Sequence, residues 1–191
     1  RRVIADATAR ALLGVQTRRE VAQEALDEFA RRGITGYWDR KGRRWEIEAY
    51  TEMATRSSLM NAAIEGQASR LEANGFDLVV ISDVPQECKL CRPWEAKVLS
   101  LSGGIDAAVG VTVAGTLDEA RADGLFHPGC RHSYTAWHRH VRSFGETADP
   151  EGAAARQKLR YLERQVRAAK RQKLAALDND AARKAQQRVT E

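Results

Sequence analysis

Aromatic side chains are scarce in this 191-residue chain, at 6%, so its core has to be built from Ala, Leu, Val and Ile. Long apolar runs are missing as well. The longest uncharged apolar-leaning run, Ala107 to Leu117, falls far short of the roughly 20 residues of a membrane-spanning helix. The first residues, Arg1-Arg2-Val3-Ile4-Ala5-Asp6, lack the apolar stretch of a signal peptide and an initiator methionine, which points to processing or excision from a longer chain. Cysteine is sparse and odd in number, three in all, which excludes a pure disulfide framework. No P-loop, no H-E-x-x-H and no G-x-S-x-G elbow is present.

What remains is enough for one ordinary domain, or for a compact body with a helical extension. An apolar fraction of 43% and a charged fraction of 30% place the chain among globular proteins. The formal net charge of +5 is unevenly spread. Residues 156–191 hold eleven Lys/Arg against four Asp/Glu, a balance of +7, so the first 155 residues sum to −2.

The pattern predicts an α+β body: helices first, then a small β-rich unit, then a long basic helix. A short helix is expected near 5–13. A second over 17–32 has Thr17 and Glu20 as a capping box and Gly33 as its stop. Trp38 and Trp45, flanking Asp39-Arg40-Lys41-Gly42, predict a hairpin over 36–47 with the two rings as packing partners. Residues 48–73 read as a long helix burying Tyr50, Met53, Met60, Ile64, Ala68 and Leu71. Strands are expected at 77–82, 98–101 and 133–137, with a short helix capped by Thr116. The organisation expected is therefore 1–75 helical with a hairpin, 76–148 β-rich, and 149–191 one amphipathic helix started by Asp149 and Pro150.

All three cysteines and all four histidines lie between Cys88 and His140. Cys88-Lys89-Leu90-Cys91 is a C-x2-C pair, and after 35 intervening residues His127-Pro128-Gly129-Cys130 is an H-x2-C pair. Two chelating pairs of this spacing suit a tetrahedral zinc ion, because each short loop can fold back to present both donors to one metal. The expected ligands are Cys88, Cys91, His127 and Cys130, with His132 as an alternative ligand or a group behind the ligands. Three thiolates and a histidine close the tetrahedron, so the zinc is expected to be structural and the chain not an enzyme. His138 and His140 are expected at the surface. A redox disulfide between Cys88 and Cys91 would leave Cys130 without a partner. A zinc-dependent nuclease or toxin-like enzyme would need an open metal position, with Asp83, Glu87 or Glu95 as a base or His132, His138 or His140 near phosphate. A zinc-stabilised DNA-binding module is a further alternative.

In the basic helix, Leu159, Leu162, Val166 and Ala169 form a narrow apolar stripe, drifting to Leu174 and Leu177. Arg160, Arg164, Arg167, Lys170, Arg171 and Lys173 surround it as candidate contacts to nucleic-acid phosphates or to a partner. A solvated face whose cations snorkel over the stripe is the plain alternative.

Several segments together resemble a known family. They are Gly36-Tyr37-Trp38-Asp39 with Gly42-Arg43-Arg44-Trp45 and Glu48-Ala49-Tyr50; Asp77-Leu78-Val79; Cys88-Lys89-Leu90-Cys91 with Pro93-Trp94-Glu95 and Lys97-Val98; and Leu125-Phe126-His127-Pro128-Gly129-Cys130-Arg131-His132. In this order they are similar to the tailed-phage minor capsid proteins, akin to the Mu F-like head morphogenesis proteins. Gln157 to Gln165 resembles that family's C-terminal helix. The resemblance implies a virion component made in few copies. It would be associated with the portal and other head proteins and assembled in the host cytoplasm. The basic helix would then contact either packaged double-stranded DNA or an acidic surface of the portal, and the short apolar runs leave no membrane partner expected. It also places Cys88, Cys91, His127, Cys130 and His132 on the family's cysteine and histidine positions. Two departures stand out: Gly129 where the family leads one to expect Asn, and Ala96 where it leads one to expect Gly.

Overall fold

The computed structural model describes residues 2–86, 88–104, 110–138 and 148–190, so His140 and Glu87 lie outside the described residues. The chain divides into two compact units, residues 1–84 with 88–145, and residues 85–87 with 146–191.

In the first unit, helices α1 (Arg2–Leu12), α2 (Arg18–Arg31) and α3 (Ile47–Ala73) pack on one another. Helix α2 starts as its sequence requires. Thr17 Oγ1 accepts from the Glu20 amide at 3.3 Å, and the Glu20 carboxylate accepts from the Thr17 amide at 2.7 Å. Gly33, at φ +66°, follows the end of the helix. Helix α3 has 27 residues, about 40 Å of rise, and is long enough to serve two cores. Ile47 joins Ile4, Ala7, Val21, Ala25 and Phe29 in the first core, with Tyr50 and Ala54 packed against it. Ile64 enters the second core, with Met60, Ala68 and Leu71 against it. The face that α3 buries differs from expectation. Thr51 and Thr55 are buried, whereas of the six residues expected on the buried face only Ile64 is fully buried; Tyr50, Met60, Ala68 and Leu71 are half-buried against the two cores, and half-buried Met53 is in neither. Both hydroxyls are satisfied by the carbonyl four residues earlier, at 2.7 Å and 2.8 Å, so their burial leaves no orphaned polar group.

Strands β1 (Gly36–Trp38) and β2 (Arg44–Glu46) form the expected hairpin, with a different partner for each tryptophan. Trp45 faces Tyr37, and Trp38 faces Arg44. Neighbouring positions on a strand point to opposite faces, so the two indole rings cannot share one.

The second core lies under a four-stranded sheet in the order β5-β4-β3-β6, comprising β3 (Leu78–Ile81), β4 (Val98–Ser100), β5 (Val113–Thr116) and β6 (Tyr134–Ala136). Strand β3 runs antiparallel to both of its neighbours, and β4 pairs parallel with β5. Strand β5 runs directly into α4 (Leu117–Ala122), which is capped reciprocally by Thr116 and Glu119. Tyr134 on β6 donates its hydroxyl to the Ile64 carbonyl at 2.5 Å and so ties the sheet to α3.

The second unit corrects the expectation of one long C-terminal helix. Helix α5 (Pro150–Leu174) ends in a turn, and α6 (Asn179–Thr190) folds back against it. No Gly or Pro is needed, because Asp178 Oδ1 caps α6 by accepting from the Ala181 amide at 2.7 Å. Ala169 of α5 and Ala185 of α6 are buried, and Lys173 and Arg188 donate across the pair to Gln186 and Gln172. At the start of α5, Asp149 Oδ1 accepts from the Gly152 amide at 2.7 Å. Among the described residues no helix is long and apolar enough to cross a membrane.

Candidate metal centre

The two chelating pairs meet because of strand pairing. In the ladder between β3 and β6, Ile81 lies opposite Tyr134, so the chain leaving β3 and the chain entering β6 are neighbours at one sheet end. The neighbourhood continues one residue further: the Ser82 amide donates to the Ser133 carbonyl, and the Ser133 amide donates to Ser82 Oγ, both at 2.9 Å. Cys88-x2-Cys91 follows β3, and His127-x2-Cys130 precedes β6.

Each pair is built as a tight turn. The Cys91 and Arg92 amides donate to the Cys88 carbonyl at 3.2 Å and 3.0 Å, after which Arg92–Trp94 form a 3-10 turn. The Cys130 amide donates to the His127 carbonyl at 2.9 Å across Pro128 and Gly129. Gly129 has φ +86°, a left-handed conformation that Gly and Asn accept most readily. Ala96, just after the first turn, sits at φ +59°. Both positions that depart from the family pattern therefore require left-handed backbone; Gly129 meets the requirement freely, and Ala96 meets it with a Cβ in place.

The five donors named from the sequence fall in two overlapping groups that share Cys91. Cys88, Cys91 and His127 form one group, and Cys91, Cys130 and His132 another; within each, the donor atoms all lie within 4.8 Å of one another. Cys88 Sγ lies 3.0 Å from His127 Nε2, Cys91 Sγ 3.6 Å from Cys130 Sγ, and Cys130 Sγ 3.2 Å from His132 Nδ1. Two thiolates on one tetrahedral zinc are separated by about 3.8 Å, given Zn–S bonds of ~2.3 Å, so the central sulfur pair suits a shared ion. The free thiols of Cys91 and Cys130 are buried in the second core, whereas Cys88 is half-buried.

The two histidines are held differently. His127 Nδ1 contacts the Pro128 carbonyl at 3.1 Å, which favours a proton on Nδ1 and leaves Nε2 open toward Cys88. His132 is buried and bridges outward: Nδ1 faces Cys130, and Nε2 meets the Glu95 carboxylate. The His132 amide also donates to Cys130 Sγ at 3.3 Å. Glu95 is the functional contact that residue spacing could not locate, since its partner lies 37 positions along the chain.

These contacts sort the protonation states. The hydrogen bond from Cys91, and after burial's opposing effect those from His132, lower the pKa of the Cys130 thiol. Cys91 is pushed far up by its hydrogen bond to Cys130, by burial and by Cys88. Burial opposes charge on His132, yet Cys130 and Glu95 together outweigh it and raise its pKa.

The family model of phage minor capsid protein 2 matches residues 1–191, the whole chain. The chain belongs to the phage minor capsid protein 2 family. It is thus a phage minor capsid protein, a component of the virion that assembles with other head proteins. Comparison with curated proteins and with solved structures finds no match.

The basic face of this capsid protein belongs to one helix. The +7 of the C-terminal region sits between Arg156 and Lys173, while the remainder, Leu174 to Glu191, is neutral. Arg160, Arg164, Arg167 and Arg171 fall with Arg156 in a sector of roughly 80° on α5, opposite the buried Ala169. Lys170 and Lys173 lie outside that sector, and Lys173 is engaged with Gln186. Leu159 and Leu162, expected in a packed stripe, are 56% and 46% exposed, with Tyr161 between them at 50%. His138 is exposed.

Proposed function

We propose that this minor capsid protein is a structural head component whose β-rich part is locked by one zinc ion on Cys88, Cys91, His127 and Cys130, with His132 standing behind Cys130. The observation that supports this reading is that two loops at one sheet end bring together two overlapping donor groups sharing Cys91, one with Cys88 and His127 and the other with Cys130 and His132. His127 supplies Nε2 to the cluster, while His132, engaged by Cys130 on one side and Glu95 on the other, orients the Cys130 sulfur. Zinc bound there would supply cross-linking of the two loops and no reaction, because the four donors leave no open position. With few aromatic side chains in the core, such a cross-link would contribute much of the order of this region.

The test separates the two histidines. His127→Ala should abolish stoichiometric zinc binding, whereas His132→Ala should retain zinc with affinity lowered by about 10- to 100-fold. The reverse ranking would make His132 the fourth ligand. Loss of zinc in neither variant would remove the site.

The basic helix α5 is assigned to assembly. Exposed Leu159 and Leu162, about 60° apart on one flank of the arginine row, with Tyr161 on the other flank, fit a head-protein surface, such as the portal, that combines apolar contacts with acidic groups. Phosphates of packaged double-stranded DNA would engage the arginines alone. Replacing Leu159 and Leu162 by Ser should therefore reduce incorporation into heads and leave DNA affinity unchanged; equal effects on both would assign the helix to DNA.

A further inference from the structure

The β1–β2 hairpin presents a tryptophan that the fold does not use. Tyr37 and Trp45 occupy its inner face, and Tyr37 stacks on Tyr50 of α3 with ring centroids 4.5 Å apart. Trp38 occupies the outer face opposite Arg44 and is 65% exposed. Arg40 and Lys41 are exposed at the adjoining tip; Arg44, opposite Trp38, pairs with Glu46 at 3.2 Å, and Arg43 lies on the other face over the Trp45 ring.

The tip is rigid. Asp39 Oδ1 accepts from the Lys41 and Arg43 amides, each at 2.9 Å, and Oδ2 accepts from Arg43 Nε at 2.8 Å and Trp45 Nε1 at 3.2 Å. Gly42, at φ +72°, closes the turn by donating to the Asp39 carbonyl at 3.0 Å. The one carboxylate of the tip is thus turned inward onto its own loop, so the turn itself presents Arg40 and Lys41 beside the strand that carries Trp38.

From this surface we propose that the hairpin is a contact site for single-stranded nucleic acid, with Trp38 stacking on an unpaired base and Arg40 and Lys41 engaging the adjoining phosphates. A flat aromatic face held in place beside cations suits a base and its backbone, because every base offers a π-face and every nucleotide a negative charge. The outer face of this hairpin carries no aliphatic side chain, so an aromatic ring and the cations of the turn are what it offers a ligand. The inference does not depend on the metal centre.

The test uses the full chain and a fluorescein-labelled oligothymidine of about 20 nucleotides, followed by anisotropy at several salt concentrations beside a duplex of equal length. Trp38→Ala should weaken single-strand binding by about 5- to 150-fold, the equivalent of one stacked base, and leave duplex binding unchanged. Trp38→Phe, which keeps an aromatic face, should restore most of the affinity and controls for folding. Arg40→Gln with Lys41→Gln should lower the slope of log affinity against log salt by about 1.4, near 0.7 per phosphate contact. Absence of single-strand binding, or equal loss on duplex and single strand in Trp38→Ala, overturns the proposal. So does a Trp38→Ala protein that binds oligothymidine normally but fails to enter heads, which would assign the hairpin to a protein partner.

Discussion

Ile81 on β3 lies directly opposite Tyr134 on β6, and that pairing brings Cys88-x2-Cys91 beside His127-x2-Cys130. The donor set therefore depends on sheet register: a slip of one residue would turn every side chain of β6 to the other face. Tyr134 guards the register through its hydroxyl on the Ile64 carbonyl, while its backbone carbonyl accepts from Gln67 at 3.0 Å. Tyr134→Phe should destabilise the protein by about 1–2 kcal/mol, since the buried Ile64 carbonyl loses a partner. Urea unfolding at matched zinc content measures it.

Ala96 carries a left-handed backbone with a side chain in place. Ala96→Gly removes that strain, roughly 1–2 kcal/mol, and gives back ~0.5–1 kcal/mol through the greater freedom of unfolded glycine. The expected net gain lies between zero and about 1.5 kcal/mol, read as a higher urea midpoint with an unchanged slope. The opposite sign would mean that the Ala96 methyl packs more favourably than its backbone conformation costs.

Asp178 converts a continuous helix-forming stretch into a hairpin. Asp178→Ala should cost about 1 kcal/mol of α6 stability, through loss of its bond to the Ala181 amide. Amide exchange in residues 179–190 should accelerate while α5 keeps its protection.

Asp77 gives an acid-side prediction away from the metal centre. Burial raises its pKa, but Ser100 Oγ at 2.7 Å and the Ser102 amide at 2.7 Å more than offset this, leaving it below the ordinary 3.8. A folded pKa below the unfolded one means that the stabilisation is fully present above about pH 4 and fades as pH falls through the folded value. Asp77→Asn should be less stable than the parent at neutral pH. The difference should narrow on acidification below pH 4, as followed by thermal unfolding across that range.

Local chemistry was the legible part of this chain. Thr17 with Glu20 and Thr116 with Glu119 announce two helix starts, and the C-x2-C and H-x2-C pairs announce a metal site, because each signal is complete within a few residues. What escaped was set by partners distant in sequence. Strand β5, with Gly115 in a short apolar run, exists because β4 lies beside it. Glu95 acquires its role only when His132 is brought to it. The outward position of Trp38 was open to parity counting, yet two aromatic residues flanking a turn suggested a pair. The break at Asp178 was visible too: Asp-Asn-Asp is a start signal, outweighed by the surrounding Ala, Lys, Arg and Gln.

The most direct measurement is the metal content of the purified, reduced protein before and after a zinc chelator, with secondary structure followed in parallel. About one zinc per chain is expected, and its removal should unfold the β-rich region and leave α5 and α6 helical. A protein that is metal-free as purified and keeps its full fold would contradict the account.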